Sequence, residues 1–443
     1  MQQPNLDTPR NGRTPLGPSD PLSRRTLLAA IGVTGAAAAA TAIATSASAN
    51  DRRHGHDHGP DPKTPPGAPP RPFFGLHQAG IADAPQSHLA FAAFNLGIEG
   101  RAALRTLMQD WTAAAVAMTS GLPIGRATTG AQAVPTDTGE ALDLPAAALT
   151  ITVGFGPSLF RDARGRDRFD VAGQYPHALA PLPAFAGDAL DPRRVGGDLC
   201  IQACADDPQV AQHAVRSLQR VAGKRASLRW TQLGFNRSAV LANVSSTPRN
   251  LFGFRDGTNN IPTHDTGLMD QHVWAQAADG AAWMSGGSYL TVRRIRMLTA
   301  PWDEEPLAEQ ERVFGRRKGD GAPLSGGEEF TTPDFRARGT DGKPLIDPAS
   351  HMALASPANN GGIRILRRAF SYADPLDAQD VPDMGLFFMA YQRDIGRQFI
   401  PLQRRLAASD LMNEYVQHTA SAIFAVPAGV RGPGDYWGSA LLA

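Results

Sequence analysis

Apolar positions divide the chain into segments of two periods. Continuous or alternating apolar runs predict strands at Leu89–Leu96, Leu149–Gly154, Leu199–Ala205 and Ser227–Gly234. Between them, Leu104, Leu107, Trp111, Ala115 and Met118 recur at helical spacing and predict a helix over Arg101–Ser120, with a second over Pro208–Val221. The order is β-α-β-β-α-β. The second half repeats it, with strands at Ser288–Leu298, Gly362–Arg368, Gly385–Gln392 and Thr419–Val426 and helices at Leu307–Arg316 and Ile395–Ala408. Each half follows the split β-α-β plan. The predicted fold class is therefore α+β: a duplicated ferredoxin-like unit with two antiparallel sheets, peripheral helices and a cavity between sheet and helices wide enough for a large flat cofactor. Two Pro/Gly/Asp-rich stretches, 156–197 and 317–350, are too long for simple connections and are expected to form the rim of a site.

The N-terminal part has no such periodicity. Ser23-Arg24-Arg25-Thr26-Leu27-Leu28 precedes a weakly hydrophobic Ala/Gly/Thr stretch that ends in Ala47-Ser48-Ala49, the pattern of a cleaved twin-arginine signal peptide. Such a leader implies the twin-arginine export machinery, a secreted, cell-envelope or periplasmic destination, and a protein that crosses the membrane folded, often with its cofactor inserted. Residues 50–72, with alternating His54, His56 and His58 and a Pro-rich run, read as a disordered leader. The expected organisation is thus 1–49 signal, 50–72 leader, 73–235 N-terminal ferredoxin-like half and 236–443 C-terminal half carrying the cofactor. Loss of residues 1–49 turns the formal charge of +1 into −1, from 39 basic and 40 acidic side chains, so no basic field for nucleic acid exists. Cys200 and Cys204, on one predicted strand, lie about 13 Å apart at about 3.3 Å per residue, beyond disulfide reach, and read as buried free thiols.

Two runs carry candidate chemistry. Asn250-Leu251-Phe252-Gly253-Phe254-Arg255-Asp256-Gly257-Thr258-Asn259-Asn260 places an acid in a tight turn, which alone reads as a structural Asp-Gly turn. The second begins at His351, passes through Ser356-Pro357-Ala358 and reaches Arg364-Ile365-Leu366-Arg367-Arg368-Ala369-Phe370-Ser371-Tyr372. The strand that follows, Gly385 to Tyr391, offers aromatic and thioether surface for packing on a porphyrin.

Together these runs resemble the dye-decolourising peroxidase family, whose signature is Gly-x-x-Asp-Gly, here Gly253–Gly257, followed about a hundred residues later by a haem-ligating histidine. The resemblance extends to Phe74–Ile81, Gly286–Met297 and Phe387–Asp394, covering nearly all of residues 73–430. Leu366–Tyr372, the long loops and the leader are similar to the bacterial subgroup that contains deferrochelatase/peroxidases of iron-uptake operons. The resemblance implies the dimeric α+β barrel and one haem b per chain. It makes His351 the axial iron ligand, Asp256 the distal acid and Arg367 the distal arginine, with Gly257, Thr258, Asn259, Ser356, Pro357, Ala358 and Arg367 lining the haem. Some relatives carry Asn and Arg where this chain has Ser356 and Ala358, so a propionate contact through arginine is missing there, with Arg293 or Arg294 as substitutes. A carboxylate partner is expected for His351, with Asp341 and Asp347 as candidates. The implied partners are hydrogen peroxide and a small phenolic or dye-like electron donor, with Tyr391 and Trp437 as candidate surface relays. A homodimer and iron-uptake partners are further implications, and haem or iron handling is the alternative function.

Overall fold

Strand β1 (His88–Leu96) alternates cleanly, and its two faces serve two different cores. The computed structural model describes residues 70–125, 130–237, 247–377 and 380–443. The expected signal peptide, residues 1–49, and residues 50–69 of the expected leader lie outside the described residues. In the N-terminal half, β1 pairs antiparallel with β3 (Leu199–Ala205) and β4 (Ala226–Phe235), and β3 pairs with β2 (Thr150–Phe155). In the C-terminal half, β5 (Ser288–Met297) pairs with β9 (Val416–Val426) and β8 (Asp383–Gln392), and β8 with β6 (Leu366–Arg367) and β7 (Phe370–Asp374). Both halves have the ferredoxin-like strand order. They join at their edges through Phe155↔Ala425 and Phe235↔Ser371, so the two sheets close into an eight-stranded barrel, with β6 alongside β8.

The barrel interior is filled. Leu89, Phe91 and Ala93 of β1 meet Phe387, Met389 and Tyr391 of β8 and Leu290 and Val292 of β5 there. A Cβ added at Gly154 would stand 2.7 Å from Phe424 Cβ and 2.8 Å from Cys200 Sγ, which shows how little room remains. Cys200 and Cys204 are buried free thiols, and burial pushes both up from the ordinary thiol pKa. On the outside of the N-terminal half, helices Arg101–Thr119 and Pro208–Ala222 cover Ala90, Ala92 and Phe94, and Trp111 Nε1 donates to the Leu218 carbonyl at 2.9 Å. Asp207 caps the second helix by accepting from Gln209 N and Val210 N, which satisfies donors that a helix start leaves unpaired. On the outside of the C-terminal half, helix His351–Ala355, the π-turn Ile395–Phe399 and helix Ile400–Ser409 stand off from β5, β8 and β9, and a cavity lies beneath them.

Two elements depart from expectation. The strand expected over Gly362–Arg368 shrinks to β6, because Gly361 and Gly362 adopt φ of +77° and +84°, where an extended strand cannot run. The pairing with β8 then resumes as β7, in unbroken register. Tyr391 and Trp437 are not surface residues: 0 and 1% exposed, they pack in the barrel interior and under the helix Arg101–Thr119, respectively.

Candidate active site

His351 opens a one-turn helix that the Ser350 hydroxyl caps by accepting from Ala353 N. About a third of the His351 side chain is exposed, and His351 lines the cavity. Its Nδ1 lies 2.6 Å from Asp410 Oδ2, while Nε2 has no partner among the described residues. Asp410 is 4% exposed and ends the helix Ile400–Ser409; its other oxygen accepts from Met412 N at 2.9 Å, so its direction is fixed. Burial favours the neutral imidazole, but the charge and hydrogen bond of Asp410 outweigh it and raise the His351 pKa. The expected partners are thus corrected. Asp347 is engaged by Arg312 at 2.6 Å, and Asp341 accepts from Lys343 N in an exposed turn.

Asp256 and Arg367 come from different segments and meet in an ion pair of 2.8 Å. Period-two alternation along β6 turns Leu366 into the barrel and Arg367 out to the cavity. Asn260 locks the two segments together: its Nδ2 donates to the Arg367 carbonyl and its Oδ1 accepts from Arg367 N, both at 2.8 Å. On the other flank Glu329 takes Arg255 at 2.6 Å and the Thr258 hydroxyl at 3.0 Å. The long loop 317–350 thereby holds the turn at Gly257, whose φ of +128° suits glycine.

The cavity has a volume of about 1570 Å³, open mouth included, and His351, Asp256, Gly257, Thr258, Asn259, Ser356, Pro357 and Arg367 all line it. Ala358 does not; it follows in the turn where its N–H meets Ser356 Oγ. Ile295, Met297, Leu386, Phe388, Leu402 and Met412 form apolar walls. Only alternate residues of β8 serve, since Phe387, Met389 and Tyr391 face the barrel interior. Arg293 also lines the cavity, buried against Asp188 from the other long loop and 3.1 Å from Ser421 Oγ. Arg294 points the opposite way, to Asp374 and Asp383, so it is excluded as a contact here. His418, between Arg293 and Gln403, is held neutral: burial first, and then the Arg293 charge, push its pKa down to about 3. Asp410, Asn260, Glu329 and His418 were not anticipated as site residues; Asn260 ends the run that carries Asp256, and no local motif marks the other three.

The family model described as Dyp-type peroxidase, N-terminal matches residues 78–236, and that described as Dyp-type peroxidase, C-terminal matches 247–431. The chain belongs to the Dyp-type peroxidase family. It is similar to the dye-decolorizing peroxidase of Thermobifida fusca, 46% identical over 290 residues that cover 65% of this chain and 66% of that one. It is also similar to the deferrochelatase of Escherichia coli strain K12, 36% identical over 84% of this chain and 87% of its relative. The solved structure of ferric DtpA from Streptomyces lividans matches with a TM-score of 0.78 and 41% identity, covering 86% of this chain and 99% of that one. The family member described here is a haem-dependent peroxidase on a duplicated ferredoxin-like barrel. Its cavity fits haem: a buried carboxylate orients an imidazole whose Nε2 is free, apolar walls suit a porphyrin face, and arginines suit its carboxylates.

Proposed function

We propose that His351 holds the haem iron through Nε2 and that Asp256 and Arg367 act on hydrogen peroxide in the same cavity, so that phenolic or dye-like donors are oxidised. The observation that carries this reading is the convergence of segments around 256, 351 and 367 on one cavity, with the histidine backed by Asp410 and the acid paired to the arginine. When bound, haem would supply the redox-active iron for cleavage of the O–O bond of peroxide. Asp256, as carboxylate, accepts the proton of the inner peroxide oxygen and delivers it to the outer one, which leaves as water. Arg367 stabilises the negative charge that develops on the departing oxygen and holds Asp256 in place. Two donor molecules each give up one electron and one proton per peroxide, so two water molecules form. Asp410 keeps Nδ1 of His351 as donor, and thus Nε2 as the ligating atom.

The test is peroxide reactivity of the haem-loaded protein followed at the Soret band. Asp256→Ala should slow the peroxide-driven change by roughly 10²–10⁴-fold while haem affinity stays within a few-fold of wild type. An Asp256→Ala, Arg367→Leu double variant as fast as wild type would overturn the assignment. A second reading, release of iron from haem, is supported by the relatives named deferrochelatase, 36% identical across 84% of this chain. It needs His351 and the same cavity but not Asp256, so iron release at wild-type rate from Asp256→Ala would favour it. We further propose twin-arginine export to the cell envelope, periplasm or medium, on the strength of Arg24-Arg25 and Ala47–Ala49, with a homodimer and iron-uptake partners as extensions of that reading. Detection of a mature N-terminus at Asn50 in exported material tests the export step.

A further inference from the structure

The cavity is lined by five arginines, and four of them are committed. Arg255 is held by Glu329, Arg293 by Asp188, Arg367 by Asp256, and Arg316 by the carbonyls of Gly321 and Glu329. Arg364 is half-buried, and its guanidinium has no hydrogen-bond or ion-pair partner among the described residues. Its donors are therefore available to a ligand in the cavity, and the planar fork of five donors matches a carboxylate.

The position of Arg364 is fixed as a binding residue requires. Asn360 accepts from Ile363 N at 2.9 Å and donates to the carbonyls of Ala355 and Ile363, which ties the segment to the helix that begins at His351. Gln398 Nε2 donates to the Arg364 carbonyl at 2.7 Å and to the His272 carbonyl at 2.8 Å. His272, Gly361, Gly362 and Ile363 line a separate open cleft of about 1350 Å³, and Ile363 borders both spaces. Arg364 therefore lines the cavity next to Ile363, at the junction between the two spaces.

We propose that Arg364 binds a carboxylate at this junction. Two sources share that chemistry: a side-chain carboxylate of the haem, or a carboxylate on an aromatic donor entering by the cleft. The proposal rests on reading the cavity as the haem chamber, and the test separates the two claims. Haem and the iron porphyrin dimethyl ester, in which both carboxylates are masked, are titrated into haem-free wild type, Arg364→Gln and Arg364→Lys and followed at the Soret band. If the haem carboxylate is the partner, Arg364→Gln weakens haem about 10- to 100-fold and leaves the ester unchanged, with Arg364→Lys recovering part of the loss. If the donor carboxylate is the partner, both porphyrins bind all three proteins alike, and Arg364→Gln raises KM for a carboxylated phenol about tenfold or more but not for its methyl ester. Equal porphyrin binding together with equal KM values for both phenols overturns the proposal. Failure of wild type to bind either porphyrin overturns the haem-chamber reading instead.

Discussion

Replacing Asp410 by Asn keeps the shape of the group behind His351 and removes its charge. Asp410 is 4% exposed, its Oδ2 is 2.6 Å from Nδ1, and its Oδ1 is already occupied by Met412 N, so water cannot take over the contact. A hydrogen bond to a charged partner is worth about 1.5–3 kcal/mol, and loss of a carboxylate behind a metal-bound imidazole costs about 10- to 100-fold in metal affinity. Haem affinity of Asp410→Asn should fall by that factor in Soret titrations of the haem-free protein near neutral pH. A carboxylate behind the imidazole favours the more positive ferric iron, so the midpoint potential should rise. At about 59 mV per tenfold for one electron, the rise is about 60–120 mV if the loss falls wholly on the ferric form. The pH dependence moves the other way. Asp410 raises the His351 pKa in the haem-free protein, so protons compete with iron for Nε2 as pH falls through that raised value. Without the carboxylate the competition sets in at lower pH, and haem release on acidification should begin later. Affinity within about twofold and a midpoint within roughly 20 mV of wild type would refute the role given to Asp410.

Asn260→Ala removes two hydrogen bonds to the Arg367 backbone; peroxide reactivity should fall while haem affinity holds, and a peroxide rate equal to wild type would remove Asn260 from the positioning of the pair. At about 1 kcal/mol per bond, urea unfolding should also show a loss of about 2 kcal/mol. Gly154→Ala forces a methyl against Phe424 and Cys200 and should destabilise by about 1–3 kcal/mol without altering the haem spectrum; no change in stability would show that the barrel interior can yield. His418, with a folded pKa near 3 against an ordinary 6.5, gives the haem-free protein stability that is complete above about pH 6.5. Below that the unfolded chain takes up a proton that the native state refuses, so stability falls with pH until about 3, at up to about 1.4 kcal/mol per unit before screening at this partly exposed site. His418→Phe should flatten that slope in urea midpoints measured between pH 6 and 4, and an unchanged slope would assign the acid sensitivity to other groups.

The duplicated ferredoxin-like order was legible because each strand and long helix carries its own period: β3, predicted over Leu199–Ala205, forms over those residues. The closure of the barrel was not, since it depends on single residue pairs such as Phe155↔Ala425 that join segments 270 positions apart and leave no periodic trace. A comparable division runs through the site. Asp256, His351 and Arg367 stand in runs whose resemblance to a known family singled them out before any geometry was known, and all three line one cavity. Asp410 stands at the end of an amphipathic helix, before Leu411, where an aspartate reads as an ordinary helix stop. The two acids named as candidates, Asp341 and Asp347, are nearer to His351 in the sequence. Arg312 and the exposed turn at Lys343 claim them instead, and a helix that returns across the cavity delivers the carboxylate from 59 residues away. The same logic separates Arg293 from Arg294. Adjacent residues on a strand face opposite ways, so one joins the cavity and the other a cluster with Asp374 and Asp383, and only the register of β5 against β8 and β9 decides which. The candidate site residues sit in local runs that a sequence displays, whereas the carboxylate behind His351 arrives through topology.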